Sequence, residues 1–505
     1  MEDSICNVYN QVKNKIQDAI KPRKKKKVRR PKNTFINATT EISNFTSVIP
    51  TDIFNQIQKI AIQVCCQSKG FAPSQVPAEK GIAKKFYSHT SKKSLVQKVL
   101  QQMKRACTGI SEDKFICKIV CSVLGCLPPQ DSRILDIVEP ILTKFLLRDV
   151  YQTKKKLSLQ CFPTEDSEAA IVYILNTLKY NGLLIPGDNI GIITPISSSY
   201  LEIPTLKNYE LIPFCIQSDQ DLDIPDDQLE KLSTMKALIL SNPNNPNAMS
   251  LSTKTLKKIK KVIKQQNPNL MIISDNSTAP LATEFNSLLT VLPQNTIAIY
   301  SFSKYFGLPS ASLSTIVMNK SNIYDRKLLK EYPGNRYGDQ KLKLIDRIYT
   351  DSRQTKPGNT SLSTPQQIFM AIAATITLLE PKYKTQIQQI LFQRSQAILE
   401  ILELEIPINQ RSTYYYTTVN IPSIINPGNC DFNKYLEQNH NPIDFVKKLT
   451  KEYNTAVLPS IAFAGSLWEI RISTADLTLD QCRIAAHNIK TLTHKYYELY
   501  KNSAQ

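Results

Sequence analysis

Residues 296–307 read TIAIYSFSKYFG. The run begins with strand-forming residues that are apolar on both alternating faces, the pattern of a strand buried from both sides in a parallel sheet. A strand is expected over Thr296 to Ser303, with a lysine, Lys304, at its carboxyl end. In open α/β sheets, ligands gather beyond the carboxyl ends of the strands, so Lys304 stands where chemistry is usually done.

The same pattern extends outward. From about Leu157 to Leu329, further strands are expected at Asn189 to Pro195, Tyr209 to Ile216, Ala237 to Ser241, Leu270 to Asp275 and Leu313 to Asn319. Helical periodicity separates them, as in Ser167 to Tyr180 and Ser252 to Gln265, and this alternation is the signature of parallel strands joined by crossover helices. The flanks differ. Thr51 to Val150 reads as mainly helical, with Asp131 to Leu147 its clearest amphipathic segment. The part after Pro381 mixes long helices with strands at Thr413 to Ile421, Ala456 to Ser460 and Trp468 to Ser473. The expected fold is therefore α/β, with a large domain over 151–355 and a smaller α+β domain built from 33–150 and 356–505.

Composition narrows the class. A chain of 505 residues, 42% hydrophobic, can bury a large core. Its longest mostly apolar run, Phe369 to Leu379, is too short to span a bilayer. The opening Met1-Glu2-Asp3-Ser4 shows no apolar leader, so residence inside the cell is expected. The 11 cysteines have no framework spacing and read as reduced thiols. Cys117, Cys121 and Cys126 are expected to pack as small hydrophobes, and no metal is assigned. Glycine, at 13 residues, is scarce enough to hint that phosphate-cradling turns have been lost.

Much of the net charge of +20 sits in Lys21-Pro22-Arg23-Lys24-Lys25-Lys26-Lys27-Val28-Arg29-Arg30-Pro31-Lys32. Like charges in such a run cannot enter a core, so residues 1–32 read as a solvated arm. Its chemistry suits a nuclear-import adaptor first, and also nucleic-acid phosphates, an anionic membrane surface or a merely solubilising tail.

Beyond the expected strand ends lie Asn242-Pro243-Asn244-Asn245-Pro246, Asp275 and Ser301-Phe302-Ser303-Lys304. A lysine suits a Schiff base, an aspartate can keep a pyridinium nitrogen protonated, and an asparagine can bind a phenolic oxygen. Each also has a plain structural reading as a turn or a cap. In this order, and together with "LKYNGLL" from Leu178, "YLEIP" from Tyr200, "IDRIYTDSR" from Ile345, "LSTPQQ" from Leu362 and "RISTADL" from Arg471, they resemble the fold-type I pyridoxal-phosphate enzymes of the class I/II aminotransferase group. Within that group the likeness is to aspartate 4-decarboxylase, over roughly residues 33 to 500. The resemblance implies a large domain with a mostly parallel seven-stranded sheet flanked by helices, pyridoxal phosphate as cofactor, and a homodimer. It also implies Lys304 as the Schiff-base lysine, Asp275 and Asn245 on the ring, Ser301 on the phosphate and Arg471 on a substrate carboxylate.

Departures cluster at the same site. The phosphate turn reads Asp166-Ser167-Glu168, putting carboxylates where a dianion would sit, and a unit like-charge pair about 4 Å apart costs on the order of 4 kcal/mol at an effective dielectric near 20. The phosphate-binding arginine falls at Ser312, leaving Ser167 and Ser312 as weak replacement ligands. The stacking aromatic falls at Ser197, a ring-oxygen tyrosine at Thr278, and a substrate arginine at Thr40, flanked by Thr39 and Glu41 where the family has glycines. A catalytically degenerate homologue with a binding or structural role is expected, the alternative being an active aminotransferase or amino-acid decarboxylase. Lys304 and Asp275 are expected to neutralise each other as a buried pair.

Residence in the nucleus or the cytoplasm is expected, with the basic run 21–32 favouring the nucleus. Fused to a fluorescent protein, residues 1–32 should draw it into the nucleus, and a diffuse cytoplasmic signal would reject the import signal.

Overall fold

The computed structural model of the chain describes residues 35–41, 43, 48–66, 81–91, 94–126, 132–216, 224–331, 342–355, 362–426 and 430–504. The basic arm, 1–32, lies outside them. The first strand, β1 (Ile36–Asn37), precedes a set of helices that includes Val48–Cys66, Leu95–Ala106 and Glu112–Val123. Serines start two of these: Ser94 and Ser111 each accept a backbone N–H of the first turn, satisfying donors that a helix end leaves unpaired.

The large sheet is formed by β2 (Leu159–Thr164), β3 (Asn189–Thr194), β4 (Glu210–Cys215), β5 (Ala237–Ser241), β6 (Met271–Asp275), β7 (Thr296–Ser301) and β8 (Ser314–Asn319). These seven strands lie in the order β2-β8-β7-β6-β5-β3-β4. Only β8 runs against its neighbours. Alternation along the central strands serves two cores. Ile273, Ile297 and Ile299 face the helix Ser167–Tyr180, while in the same sheet Leu238, Leu240 and Ile272 pack with Leu256, Ile259 and Ile263 of the helix Thr253–Gln266. The registers Ser241↔Asp275 and Asp275↔Ile299 bring the carboxyl ends of β5, β6 and β7 to one edge of the sheet.

The smaller unit contains β9 (Thr417–Asn420), β10 (Thr455–Ala456), β11 (Leu458–Pro459) and β12 (Glu469–Ile472). β11, β12 and β9 form an antiparallel sheet, and β10 pairs in parallel with β1. Ile36 and Ala38 share a core with Ile398, Val419, Ile470 and Ile489. The helices between 48 and 123 instead pack on the helix Thr364–Leu379 and on Tyr300 and Phe302 beside the large sheet. Of residues 33–150, therefore, it is the first few that join the C-terminal core. Cys117 and Cys121 are buried in the helical cluster and Cys126 is half-buried. The "LSTPQQ" stretch acquires a local meaning here. Ser363 and Gln366 form a reciprocal capping box, with proline in the first turn of the helix.

Several expectations change. The strand expected over Thr296 to Ser303 ends at Ser301, and Phe302–Phe306 is helical. The helix expected over 131–147 begins only at Glu139, with Pro140 in its first turn, and continues as a π-helical turn over Leu146–Val150. β2 was not among the expected strands; it contains Pro163, which is tolerated at this position since β2 is an edge strand. The other edge strand, β4, likewise contains a proline, Pro213.

Gly191, in the middle of β3, shows why this glycine-poor chain keeps one inside a strand. A Cβ there would lie 2.7 Å from the Phe214 ring and 3.3 Å from Leu238. Gly191→Val should cost about 1–3 kcal/mol through overpacking, read as a lower urea midpoint with an unchanged m-value.

Candidate functional site

A cavity of about 290 Å³ opens at the carboxyl edge of the large sheet, lined among others by Glu41, Tyr200, Asn245, Asp275, Ser301 and Lys304. The sheet explains the gathering. β5 leads into the turn that carries Asn245, β6 ends at Asp275, and β7 ends at Ser301, after which the short helix Phe302–Phe306 carries Lys304. Gly307, in the left-handed conformation at φ 61°, ends that helix. Arg471, on β12, reaches the site from the smaller unit and is fully buried.

The expected pair between Lys304 and Asp275 is not what the structure shows. Lys304 Nζ lies 2.8 Å from Glu41 Oε2. The other oxygen, Glu41 Oε1, accepts from Asn245 Nδ2 at 2.6 Å and lies 3.3 Å from an Arg471 guanidinium nitrogen. Asp275 has other partners: Tyr200 donates its hydroxyl to Oδ2 at 2.8 Å, and Ser277 donates its backbone N–H to Oδ1 at 2.8 Å and also its hydroxyl. The reason is proximity, because the N-terminal segment carries a carboxylate directly to the ammonium.

That segment is anchored independently of the Glu41 side chain. Arg471 donates to the Thr39 carbonyl at 2.7 Å, and the Tyr415 hydroxyl donates to the Glu41 carbonyl at 3.1 Å. Ser43 donates to the Lys304 carbonyl at 2.9 Å and shares a hydrogen bond with Tyr415, while the Thr40 hydroxyl bonds Asp476. Arg471 also donates to Asn245 Oδ1 at 2.9 Å, and its guanidinium lies 4.4 Å from the centre of the Tyr416 ring and 4.8 Å from that of Phe463. Cation–π attraction is strongest where water is excluded, as it is here.

Electrostatics follow the geometry. Burial alone would raise the Glu41 carboxyl, but Lys304 and Arg471 outweigh it and hold the group down from 4.5 to about 2. Burial alone would lower the Lys304 ammonium, yet the Glu41 charge holds it well above its ordinary range. Burial, and then the Asp275 charge, pushes the Tyr200 phenol well above its ordinary value, so Tyr200 remains a donor.

The remaining lining is hydroxyl-rich and acidic. Asp166, Ser167, Glu168, Ser301, Ser303 and Ser312 also line the cavity, and Lys304 is the one cation among the described lining residues. Asp166 caps the helix Ser167–Tyr180 by accepting the Ala169 N–H at 2.6 Å, which engages an amide that would otherwise point at an anion. Glu168 accepts from the Ser199 hydroxyl, and the Ser167 hydroxyl faces that of Ser277 at 3.2 Å. Ser303 Oγ accepts the Leu313 N–H at 3.2 Å. Ser312 sits at φ 47°, in the left-handed region that favours glycine. Ser197 lines the same cavity and Thr278 is buried beside Ser277.

Lys304, Asp275, Asn245, Ser301, Ser167 and Ser312 thus all line one cavity, and Arg471 joins it through Glu41 and Asn245. Sequence reasoning did not assign Glu41 and Tyr200 to the site. Glu41 carried a signal, a charged residue beside Thr40 where the resembled family has glycine. Tyr200 carried none beyond lying in the "YLEIP" stretch.

Glu41 carries the acid sensitivity of this network. Because its folded value lies below the unfolded one, its stabilisation is complete above about pH 4.5 and is lost as pH falls toward 2. Glu41→Gln should cost about 3 kcal/mol at neutral pH, the low end for breaking a buried pair, since Glu41 keeps 36% of its side-chain surface exposed. In urea titrations, the gap between wild type and variant should narrow steadily below pH 4.5.

Comparison with known proteins places this geometry. Residues 131–489 match the family described as aminotransferase class I and II. A bifunctional aspartate aminotransferase and L-aspartate beta-decarboxylase of Pseudomonas sp. is 29% identical over 417 residues, 78% of each chain. Aspartate aminotransferase from Thermus thermophilus with maleate aligns over 97% of this chain and 96% of its own, at TM-score 0.57 and 14% identity. The aromatic aminotransferase from Pyrococcus horikoshii covers 79% of this chain and 92% of its own, at TM-score 0.56 and 17% identity.

Proposed function

The chain belongs to the aminotransferase class I and II family, with the fold-type I architecture of that group, and from that premise we propose that it is a non-catalytic member with a binding or assembly role. The observation that carries the reading is the 2.8 Å contact between Lys304 Nζ and Glu41. A nucleophilic lysine must present a neutral amine, whereas this one is held as an ammonium against its own carboxylate.

Pyridoxal phosphate, the family's cofactor, would supply an electron sink for amino-acid chemistry. The residues present fit one end of it and not the other. Asn245, Asp275 and Lys304 are suited to the ring and the aldehyde carbon. The phosphate end offers hydroxyls and the carboxylates of Asp166 and Glu168, where a dianion calls for cations or free helix amides. No catalytic step is derived for such a site. The second reading, an active aminotransferase or amino-acid decarboxylase, draws on the convergence of Lys304, Asp275, Asn245 and Arg471. Self-association as a dimer and nuclear residence through residues 21–32 complete the proposal. Among the described residues, no helix is long and apolar enough to cross a membrane.

Purified protein, incubated with pyridoxal phosphate and passed through gel filtration, should retain no visible absorbance and should not transfer the amino group of aspartate to a 2-oxo acid. Retained absorbance that Lys304→Ala abolishes would overturn the reading in favour of the active enzyme.

A further inference from the structure

We infer that Glu41 acts as a tethered ligand, its carboxylate filling a subsite that takes a small monocarboxylate from solution once that side chain is removed. The inference deepens the reading above and rests on it, since both commit the Lys304 ammonium to a carboxylate. Each Glu41 oxygen is received separately: Oε2 by Lys304 at 2.8 Å, and Oε1 by Asn245 at 2.6 Å and Arg471 at 3.3 Å. This is the convergent donor set expected around a bound carboxylate.

The subsite is independent of its occupant. The backbone of Thr39 and Glu41 is held by Arg471 and Tyr415, and Ser43 bonds the Lys304 carbonyl, through contacts that do not involve the Glu41 side chain. Asn245 and Arg471 are bonded to each other, and Arg471 is fixed between two rings. Glu41→Ala removes a CH2 and a carboxylate, the heavy atoms of acetate, and leaves a fully buried guanidinium without its carboxylate. A buried unpaired charge provides a strong drive to recruit an anion.

The charge of the cavity lining sets the selectivity. Asp166 and Glu168 line the same cavity, so a second negative group on the ligand is repelled. Acetate therefore fits better than succinate or inorganic phosphate.

Thermal melts of wild type, Glu41→Ala and Glu41→Gln at pH 7, in sodium acetate and in sodium chloride of equal ionic strength, test this. Glu41→Ala should melt below wild type and regain much of the lost Tm in acetate along a saturable curve. Wild type and Glu41→Gln, whose side chains still fill the space, should not move, and succinate and phosphate should raise Glu41→Ala less than acetate. Equal melting of Glu41→Ala in acetate and chloride overturns the subsite, as does an equal rise in all three proteins, and succinate matching acetate overturns the selectivity. Should Glu41→Ala be recovered only unfolded, refolding from urea reads the same answer: native circular dichroism returning in acetate and not in chloride supports the subsite, and failure in both overturns it. A colourless wild type with no acetate rescue sinks this inference alone, whereas retained, Lys304-dependent cofactor absorbance sinks the functional reading first.

Discussion

A single carboxylate, that of Glu41, lets two cations exist where water is scarce. Arg471 is fully buried and Lys304 keeps 16% of its side-chain surface exposed. Either charge alone would carry a desolvation cost of several kcal/mol. The ion pairs to Glu41, the amide of Asn245 and the rings of Tyr416 and Phe463 offset it together. Through those contacts the N-terminal segment, the turn after β5, the short helix after β7 and the strand β12 are tied into one unit.

Much of the fold was readable in the sequence because strands buried on both faces must be apolar throughout, and the runs ending at Ser241, Asp275 and Asn319 end there in the structure as well. Edge strands escape that rule. β2 carries Pro163 and went unrecognised, although β4, an edge strand with its own proline, was expected, and the helix expected from residue 131 starts late because Pro140 suits a first turn better than an interior. At the site, Lys304, Asp275 and Asn245 were legible as residues at strand ends. Their pairing was not. Which carboxylate meets a lysine depends on tertiary placement, and the Glu41 segment is too short and irregular to show any periodicity.

The turn before the helix Ser167–Tyr180 shows local and functional demands pulling apart. Aspartate is among the best residues for capping a helix, and Asp166 does so here. The same carboxylate is the wrong charge for an anion at that helix end. Folding and phosphate binding would ask for different residues at this position, and the sequence answers the first. Ser312, left-handed and polar, lines the same cavity with hydroxyl chemistry and no charge.

Glu41 and Arg471 are separated by 430 residues of chain, and β1 finds its partner in β10 near the other end. Closing so long a loop has a large entropic cost before any contact rewards it. The network therefore behaves as a clasp between segments separated by the central sheet's sequence. During synthesis, the segment bearing Glu41 leaves the ribosome long before its arginine partner exists, and must wait in solvent while 430 further residues are added.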